Sequence, residues 1–231
     1  DLAGVRLFAS GAASLPLETI NSFFAKTRQR VIEGYGLSEA SPACCFNPVD
    51  ATKPGSIGLP LPGVKVRVVD QEGRETGPAQ VGELIVQGPN VMSGYYGLSA
   101  ETAEALRGGW LYTGDLAYKD EEGYVYIVDR KKDMVIVSGL NVYPREVEEV
   151  LFQYPAIKEA AVVGAPDKKR GESVRAYVVL KEGMKLDKND LKAFLRANLA
   201  AYKLPRDIVE LAFLPKNSTG KVLKKELRQL D

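Results

Sequence analysis

The chain has 231 residues, 45% of them hydrophobic and 26% charged, a composition typical of a globular protein with one or two domains. Its 31 Lys and Arg residues nearly balance its 30 Asp and Glu residues, so charge gives no reason to expect nucleic acid as a partner. There is no histidine, which excludes Ser-His-Asp triads and histidine zinc sites within these residues. The only cysteines, Cys44 and Cys45, are adjacent and are predicted to be buried, reduced thiols.

The first forty residues are typical of α/β structure. A short buried strand is predicted at residues 5–9, and apolar residues at helical spacing predict a helix over residues 17–27. A second strand at residues 31–33 leads into residues 34–36, which we interpret as a glycine-punctuated turn.

Residues 54–129 are typical of a β-rich subdomain, which we predict to be barrel-like. Alternating valines at residues 64–68 predict a half-buried strand, and further strands are predicted at residues 84–86 and 124–128. The charge run at residues 129–133 lies between two apolar strands and is predicted to be a solvated turn at a domain boundary. No apolar run approaches the ~20 residues of a membrane-spanning helix, and no signal peptide is predicted.

The remainder of the chain predicts strand–helix–strand–strand–helix followed by a basic tail. Pro144 suits the first position of a helix, and strands are predicted at residues 160–163 and 174–180. Asp187 is predicted to cap a helix whose apolar face includes Leu191. The chain is therefore expected to contain two domains, residues 1–129 and 130–231.

Two generic phosphate-binding motifs fail, because residues 34–39 lack the last glycine of a dinucleotide loop and Gly220-Lys221 is not followed by Ser or Thr. Four other segments are informative together. They are residues 34–40 (GYGLSEA), 109–115 (GWLYTGD), 129–148 (DRKKDMVIVSGLNVYPREVE) and 215–221 (PKNSTGK). In order and spacing they resemble the adenylate-forming superfamily, which includes acyl-CoA synthetases, peptide-synthetase adenylation domains and luciferases. The resemblance covers essentially the whole chain and is greatest to bacterial medium- and long-chain fatty-acid–CoA ligases.

The resemblance implies that residues 1–129 are the carboxy-terminal portion of the large AMP-binding domain, with its β-rich subdomain. Residues 130–231 would be the small, mobile α+β carboxy-terminal domain. The phosphate loop of the superfamily lies upstream of the matching region, so we expect the isolated chain to show little or no turnover.

The resemblance also implies a nucleotide site. Its residues would be Gly11, Ala12, Ala13, Tyr35, Gly36, Ser38, Asp115 and Arg130. The ring of Tyr35 would stack on adenine, and the Ser38 hydroxyl would donate to phosphate. Asp115 would accept hydrogen bonds from both ribose hydroxyls, with Arg130 as a second ribose contact.

Four residues are implied to serve the chemistry. Glu39 would help to hold Mg²⁺, which prefers oxygen ligands, and is expected to be catalytic. Lys221 would stabilise the charge that develops while the adenylate forms. Lys132 would be the hinge about which the small domain turns between half-reactions. Gly139 would face the tunnel for the CoA pantetheine, where the absence of a Cβ leaves room.

The implied activity is that of an AMP-forming acyl-CoA synthetase, which uses ATP, Mg²⁺ and coenzyme A to activate a carboxylic acid, here a fatty acid. The alternatives are an aryl-acid–CoA ligase and a stand-alone adenylation enzyme. A further alternative, from another class, is a non-catalytic fragment that binds AMP or acyl-adenylate. The implied location is the cytoplasm, with peripheral membrane association of the whole protein left open by a lipid substrate.

Overall fold

The computed structural model of the chain describes residues 2, 4–218 and 220–230. It divides into two compact units, residues 1–131 and 132–231. Both units combine helices with β-sheet, which confirms the predicted mixed α/β class. No helix within the described ranges is long and apolar enough to cross a bilayer.

The first unit begins with a four-stranded sheet. Its strands, in order across the sheet, are β1 (Phe8–Ser10), β2 (Val31–Gly36), β3 (Ala43–Phe46) and β4 (Leu59–Pro60). The predicted first helix is confirmed as α1 (Leu17–Thr27), which connects β1 to its parallel neighbour β2. The sheet then becomes antiparallel at β3 and β4.

The predicted buried strand at residues 5–9 is wrong in extent and burial. Only residues from Phe8 onward pair with a neighbour, and both Val5 and Leu7 are exposed. The reason is that β1 is the edge strand of its sheet and, among the described strands, hydrogen-bonds to β2 alone.

The predicted turn at residues 34–36 is also wrong, because both glycines lie inside β2. A Cβ on Gly34 would lie 2.3 Å from the ring of Phe46, and a Cβ on Gly36 would lie 1.6 Å from the carbonyl oxygen of Pro42. Glycine is therefore required at these positions for the close approach of β3 rather than for a change of chain direction.

The rest of the first unit is a curled, half-barrel sheet, as predicted for residues 54–129. Its strands are β5 (Lys65–Val69), β6 (Gly82–Gln87), β7 (Leu106–Arg107), β8 (Trp110–Lys119) and β9 (Val125–Arg130). A helix not predicted from the sequence, α2 (Ser99–Ala105), precedes β7. Because α2 buries none of its residues, it has no apolar face that could show helical periodicity in the sequence.

The charge run at residues 129–133 forms the end of β9 and a single 3₁₀ turn. The solvated turn predicted there is wrong for its two carboxylates. Asp129 is buried and accepts from the Arg130 backbone N–H at 2.7 Å, and the buried Asp133 pairs with Arg228 at 2.5 Å. The hydrogen bond to Asp129 and the ion pair of Asp133 offset part of the cost of removing these charges from water.

The second unit is built on a five-stranded sheet. Its strands are β10 (Val135–Val137), β11 (Leu140–Val142), β12 (Ile157–Asp167), β13 (Gly171–Leu180) and β14 (Asp207–Glu210). Its helices are α3 (Pro144–Phe152), α4 (Lys188–Asn198) and α5 (Lys224–Leu227). The helices predicted from Pro144 and Asp187 are confirmed, whereas the short strands β11 and β14 were not predicted. A core of valines and leucines from α3, α4 and the sheet, including Val147, Leu151 and Leu191, holds this unit together.

We expect Asp187→Ala to lower the free energy of unfolding of the second unit by about 1 kcal/mol. The Asp187 carboxylate accepts hydrogen bonds from the backbone N–H groups of Asn189 and Asp190, at 2.9 and 3.1 Å. Without it, these amides of the first helical turn lose their partner. Denaturant unfolding followed by circular dichroism measures the loss. Asn189→Ala is the control, and an equal loss in that variant would contradict the capping role.

Candidate active site

The small residues 11–13 and the motif at residues 34–40 lie at the same end of the first sheet, where the parallel strands β1 and β2 finish. Residues 11–13 follow the carboxyl end of β1, and Tyr35 stands at the carboxyl end of β2, which is parallel to β1. A Cβ on Gly11 would lie 3.6 Å from the Gly34 carbonyl oxygen, so the turn passes directly beside β2. Ala12 adopts a left-handed conformation with φ of 67°. In α/β sheets, ligands bind at the carboxyl ends of the parallel strands.

Tyr35 and Asp115 are 80 residues apart in sequence and are joined in the structure. The Tyr35 hydroxyl donates to Asp115 Oδ2 at 2.6 Å. Burial, together with the nearby charge of Asp115, raises the pKa of Tyr35 far above its usual value, so the phenol stays a hydrogen-bond donor. The structure therefore places the predicted adenine and ribose residues next to each other.

Arg130 joins the same group. Asp115 on β8 is the direct register partner of Arg130 on β9, and Arg130 Nε lies 3.7 Å from Asp115 Oδ1. The Asp115 side chain is 18% exposed, whereas that of Arg130 is 42% exposed. The Asp115 carboxylate is thus held in place by the protein but remains accessible to solvent. A ligand could reach it by the same route.

A second layer of side chains fixes the backbone before Asp115, and the sequence did not reveal it. Glu83 on β6 accepts from the Gly114 N–H at 3.2 Å and from Lys131 Nζ at 2.9 Å. The Thr113 hydroxyl donates to the Leu84 carbonyl at 2.7 Å and accepts from the Asp115 N–H at 3.1 Å. In the sequence, the one indication of these contacts is Glu83, a charged residue next to the apolar residues 84–86. Such a glutamate suggests that a partner exists but does not identify it.

Glu39 lies in a 3₁₀ turn, Ser38–Ala40, that follows β2. Its Oε1 accepts from the Tyr95 hydroxyl at 2.9 Å, and its backbone carbonyl accepts from the Met92 N–H at 2.8 Å. The hydrogen bond to Glu39 raises the pKa of Tyr95. Ser38 is exposed, and Ala40 is buried in the core of the unit.

The surroundings of Glu39 fit the magnesium role that the resemblance implies. Within the ranges that the structure describes, no group of three or more His, Cys, Asp or Glu side chains could enclose a metal. Mg²⁺ commonly binds through one or two carboxylates and completes its shell with phosphate oxygens and water. A single partly exposed carboxylate held by one tyrosine suits such a nucleotide-borne ion.

Gly139 lies in the two-residue hairpin turn between β10 and β11. Ser138 and Gly139 have φ values of 52° and 82°, which is the pattern of a type I′ turn. A Cβ on Gly139 would meet nothing within 4 Å. The turn alone gives a reason for this glycine, so its predicted role toward the pantetheine remains a prediction.

Lys221 ends a short loop closed by hydrogen bonds. The Asn217 side-chain oxygen accepts from the Lys221 N–H at 2.9 Å, and the Asn217 N–H donates to the Lys221 carbonyl at 3.0 Å. Lys216, just before the loop, pairs with Glu159 at 2.6 Å. Thr219, which belongs to the motif at residues 215–221, lies outside the described residues. Lys132, the predicted hinge, is an exposed residue at the start of the second unit.

Both cysteines are free and fully buried, as predicted. Burial raises the pKa of Cys44 to about 11 and that of Cys45 to about 12. Both side chains therefore remain neutral thiols that pack against the core of the first unit.

The fold that carries these residues has known relatives. A family model described as AMP-binding enzyme matches residues 1–96, and one described as AMP-binding enzyme C-terminal domain matches residues 146–221. These ranges together cover more than half of the chain, which belongs to the AMP-binding enzyme family. The resemblance found in its motifs is confirmed.

Individual relatives agree with this assignment. The long-chain-fatty-acid–CoA ligase of Bacillus subtilis (strain 168) is 48% identical over 229 residues, which are 98% of this chain and 41% of that protein. The feruloyl-CoA synthase of an Amycolatopsis species is 40% identical over 233 residues, covering 99% of this chain and 47% of that protein. The crystal structure of ATP-bound MatB from Rhodopseudomonas palustris matches with a TM-score of 0.93 at 40% identity, over 97% of this chain and 45% of that one. The chain thus spans less than half the length of the curated relatives it matches.

Proposed function

We propose that this chain carries the adenosine-binding residues and the mobile carboxy-terminal domain of an AMP-forming acyl-CoA synthetase, and that the acid it activates is a fatty acid. In the first half-reaction, a carboxylate oxygen of the acid attacks the α-phosphorus of ATP, and pyrophosphate leaves. In the second, the CoA sulfur, having lost its proton, attacks the acyl carbon of the adenylate. The bond to the AMP oxygen breaks, which gives the thioester and AMP.

One observation carries the proposal: the 2.6 Å hydrogen bond between Tyr35 and Asp115. It joins two motifs that are distant in sequence, and it leaves an aromatic face beside a partly exposed carboxylate. An aromatic face suits an adenine ring, and a carboxylate offers acceptors to both hydroxyls of a ribose. Gly11, Ala12 and Ala13 contribute small residues at the same end of the sheet, where a ligand can approach the backbone.

The remaining roles follow the chemistry of the side chains. Glu39 would hold Mg²⁺, which when bound neutralises charge on the ATP phosphates. Lys221 supplies a point charge to the oxygens on which negative charge grows during adenylate formation. Ser38 offers a hydroxyl donor to phosphate, and Lys132 would be the hinge between residues 1–129 and 130–231. A cytoplasmic location is part of the same proposal.

The relatives favour two classes of acyl group. Long-chain-fatty-acid–CoA ligases at 48% and 43% identity favour a fatty acid. A feruloyl-CoA synthase at 40% identity favours an aryl acid as the second candidate. Calorimetric titration of the full-length protein with non-hydrolysable dodecanoyl-adenylate and feruloyl-adenylate analogues, each beside AMP, separates the two. Tighter binding of the dodecanoyl compound supports the fatty-acid assignment, tighter binding of the feruloyl compound overturns it, and binding of none of the three compounds contradicts the nucleotide site.

We expect Asp115→Ala to weaken AMP binding by at least about tenfold, because hydrogen bonds to a charged acceptor are lost. Calorimetry with AMP and with 2′,3′-dideoxy-AMP identifies the hydroxyls as the cause. The native protein should prefer AMP, and the variant should lose most of that preference, keeping only what Arg130 contributes.

Tyr35→Phe is the control for this experiment, since it removes the Tyr35–Asp115 hydrogen bond but retains the ring and the carboxylate. It should retain the preference for AMP over the dideoxy nucleotide. If Asp115→Ala discriminates between the two nucleotides as strongly as the native protein does, the ribose role of Asp115 is wrong.

A further inference from the structure

A single segment, residues 90–95, holds the Glu39 turn through its backbone and its side chain. The Asn90 side-chain nitrogen donates to the carbonyl oxygens of Ala40 and Ala43, at 2.8 and 2.9 Å. The Met92 N–H donates to the Glu39 carbonyl at 2.8 Å. These bonds hold the backbone at Glu39 and in the residues that follow it, up to Ala43.

The side chain of Glu39 is oriented by the same segment. The Tyr95 hydroxyl donates to Glu39 Oε1 at 2.9 Å. The Tyr95 N–H donates to the hydroxyl of Thr102, a residue of α2, at 2.9 Å, which ties the tyrosine backbone to that helix. Met92 and Val91 pack against the core that also contains Ala40. The backbone of Tyr95 is thus tied to α2, and the turn that carries Glu39 is tied to the core of the first unit.

We propose that Tyr95, supported by Asn90, is a positioning residue that orients the Glu39 carboxylate toward the magnesium ion carried by the nucleotide. This inference rests on the proposed function, since it takes Glu39 as the carboxylate that meets the ion. A carboxylate has about four acceptor positions, and the tyrosine takes one of them on Oε1. With the rotation of the carboxylate fixed, the ion would meet oxygens that already point in one direction. Partners that orient a metal ligand commonly change metal affinity by about tenfold or more when removed.

The neighbouring tyrosine provides a matched comparison. Tyr96 is fully exposed, with a relative accessibility of 104%, whereas Tyr95 is partly buried. Tyr95→Phe and Tyr96→Phe therefore remove the same hydroxyl from adjacent positions, and only the first removes a hydrogen bond to Glu39. Each variant retains its ring, so the packing of residues 90–95 is kept.

The test is calorimetric titration of the full-length protein with ATP over a series of Mg²⁺ concentrations, beside titration with AMP in the absence of the ion. We expect Tyr95→Phe to raise the Mg²⁺ concentration for half-maximal ATP binding by about tenfold, while AMP binding stays within about twofold of the native value. Tyr96→Phe should match the native protein in both titrations. Glu39→Gln serves as the reference for loss of the carboxylate itself.

The outcomes separate the inference from the function on which it rests. If Glu39→Gln shifts the Mg²⁺ dependence but Tyr95→Phe does not, Tyr95 does not position Glu39, and the proposed function stands. If Tyr95→Phe weakens AMP binding as much as Mg²⁺-dependent ATP binding, its role is structural and the inference fails. If Glu39→Gln has no effect on the Mg²⁺ dependence, the metal role of Glu39 itself is wrong, and the inference falls with it.

Discussion

Lys221→Ala should lower the rate of acyl-adenylate formation by about 100- to 1000-fold in the full-length protein, because a charged donor to the developing oxyanions is lost. Pyrophosphate exchange dependent on the acid substrate measures this step. Thioester formation from a synthetic acyl-adenylate and CoA bypasses it and should stay within a few-fold of the native rate. The expected result is therefore a large loss confined to one half-reaction.

The structure indicates that this substitution tests the side chain and not the loop. The hydrogen bonds to Asn217 use the backbone N–H and carbonyl of Lys221, which alanine retains. Lys225→Ala is the matched control, since Lys225 is an exposed lysine four residues further along. Unchanged pyrophosphate exchange in Lys221→Ala, or an equal loss in Lys225→Ala, would contradict the assignment of Lys221. A non-catalytic AMP-binding protein would show no pyrophosphate exchange in either the native or the variant form, and both forms would bind AMP equally.

Gly139→Leu should lower thioester formation from a supplied acyl-adenylate by about a hundredfold, the scale of loss when a reacting group is displaced. Acyl-adenylate formation should be spared. The expected cause is steric, because a leucine side chain would fill the space that the pantetheine arm needs. Measuring each half-reaction separately, with the full-length protein, shows whether the loss is confined to the second.

Backbone strain in the turn could also lower the activity of Gly139→Leu, and a control variant must distinguish strain from steric blockage. At φ of 82°, any side chain at residue 139 introduces backbone strain, which costs about 1–2 kcal/mol. Gly139→Ala introduces this strain with little bulk, since its Cβ meets nothing within 4 Å. The alanine variant should retain most of the thioester-forming activity. Equal losses in the alanine and leucine variants, or a leucine variant equally impaired in both half-reactions, would assign the glycine to the turn alone.

The motif at residues 34–40 identifies the family correctly, although the local structure predicted for its first residues is wrong. Residues 34–40 identify the family, yet the glycines beside Tyr35 were interpreted as a turn, and they lie in a strand. Their requirement for glycine comes from Phe46 and Pro42 on the following segment. No pattern within the motif itself could have shown which backbone approaches it.

Buried charge was the second feature that the sequence left open. A run such as residues 129–133 is usually solvated, and its lysines are indeed exposed. Asp133 is buried because Arg228, 95 residues further along the chain, reaches it. Glu83 is likewise partnered by Lys131, 48 residues away. A charge is predictable as buried only when its partner is known, and these partners are distant.

The sequence by itself determined the features that depend on near neighbours. Helices α3 and α4 follow from apolar spacing, from Pro144 at the first position and from the Asp187 cap, all of which act within a few residues. The four motifs likewise determined the family. The tertiary structure alone decided which residues meet: Tyr35 with Asp115, Asp115 with Arg130, and Glu39 with Tyr95. These contacts depend on strand register and chain crossing over as many as 80 residues, and local periodicity contains no information about either.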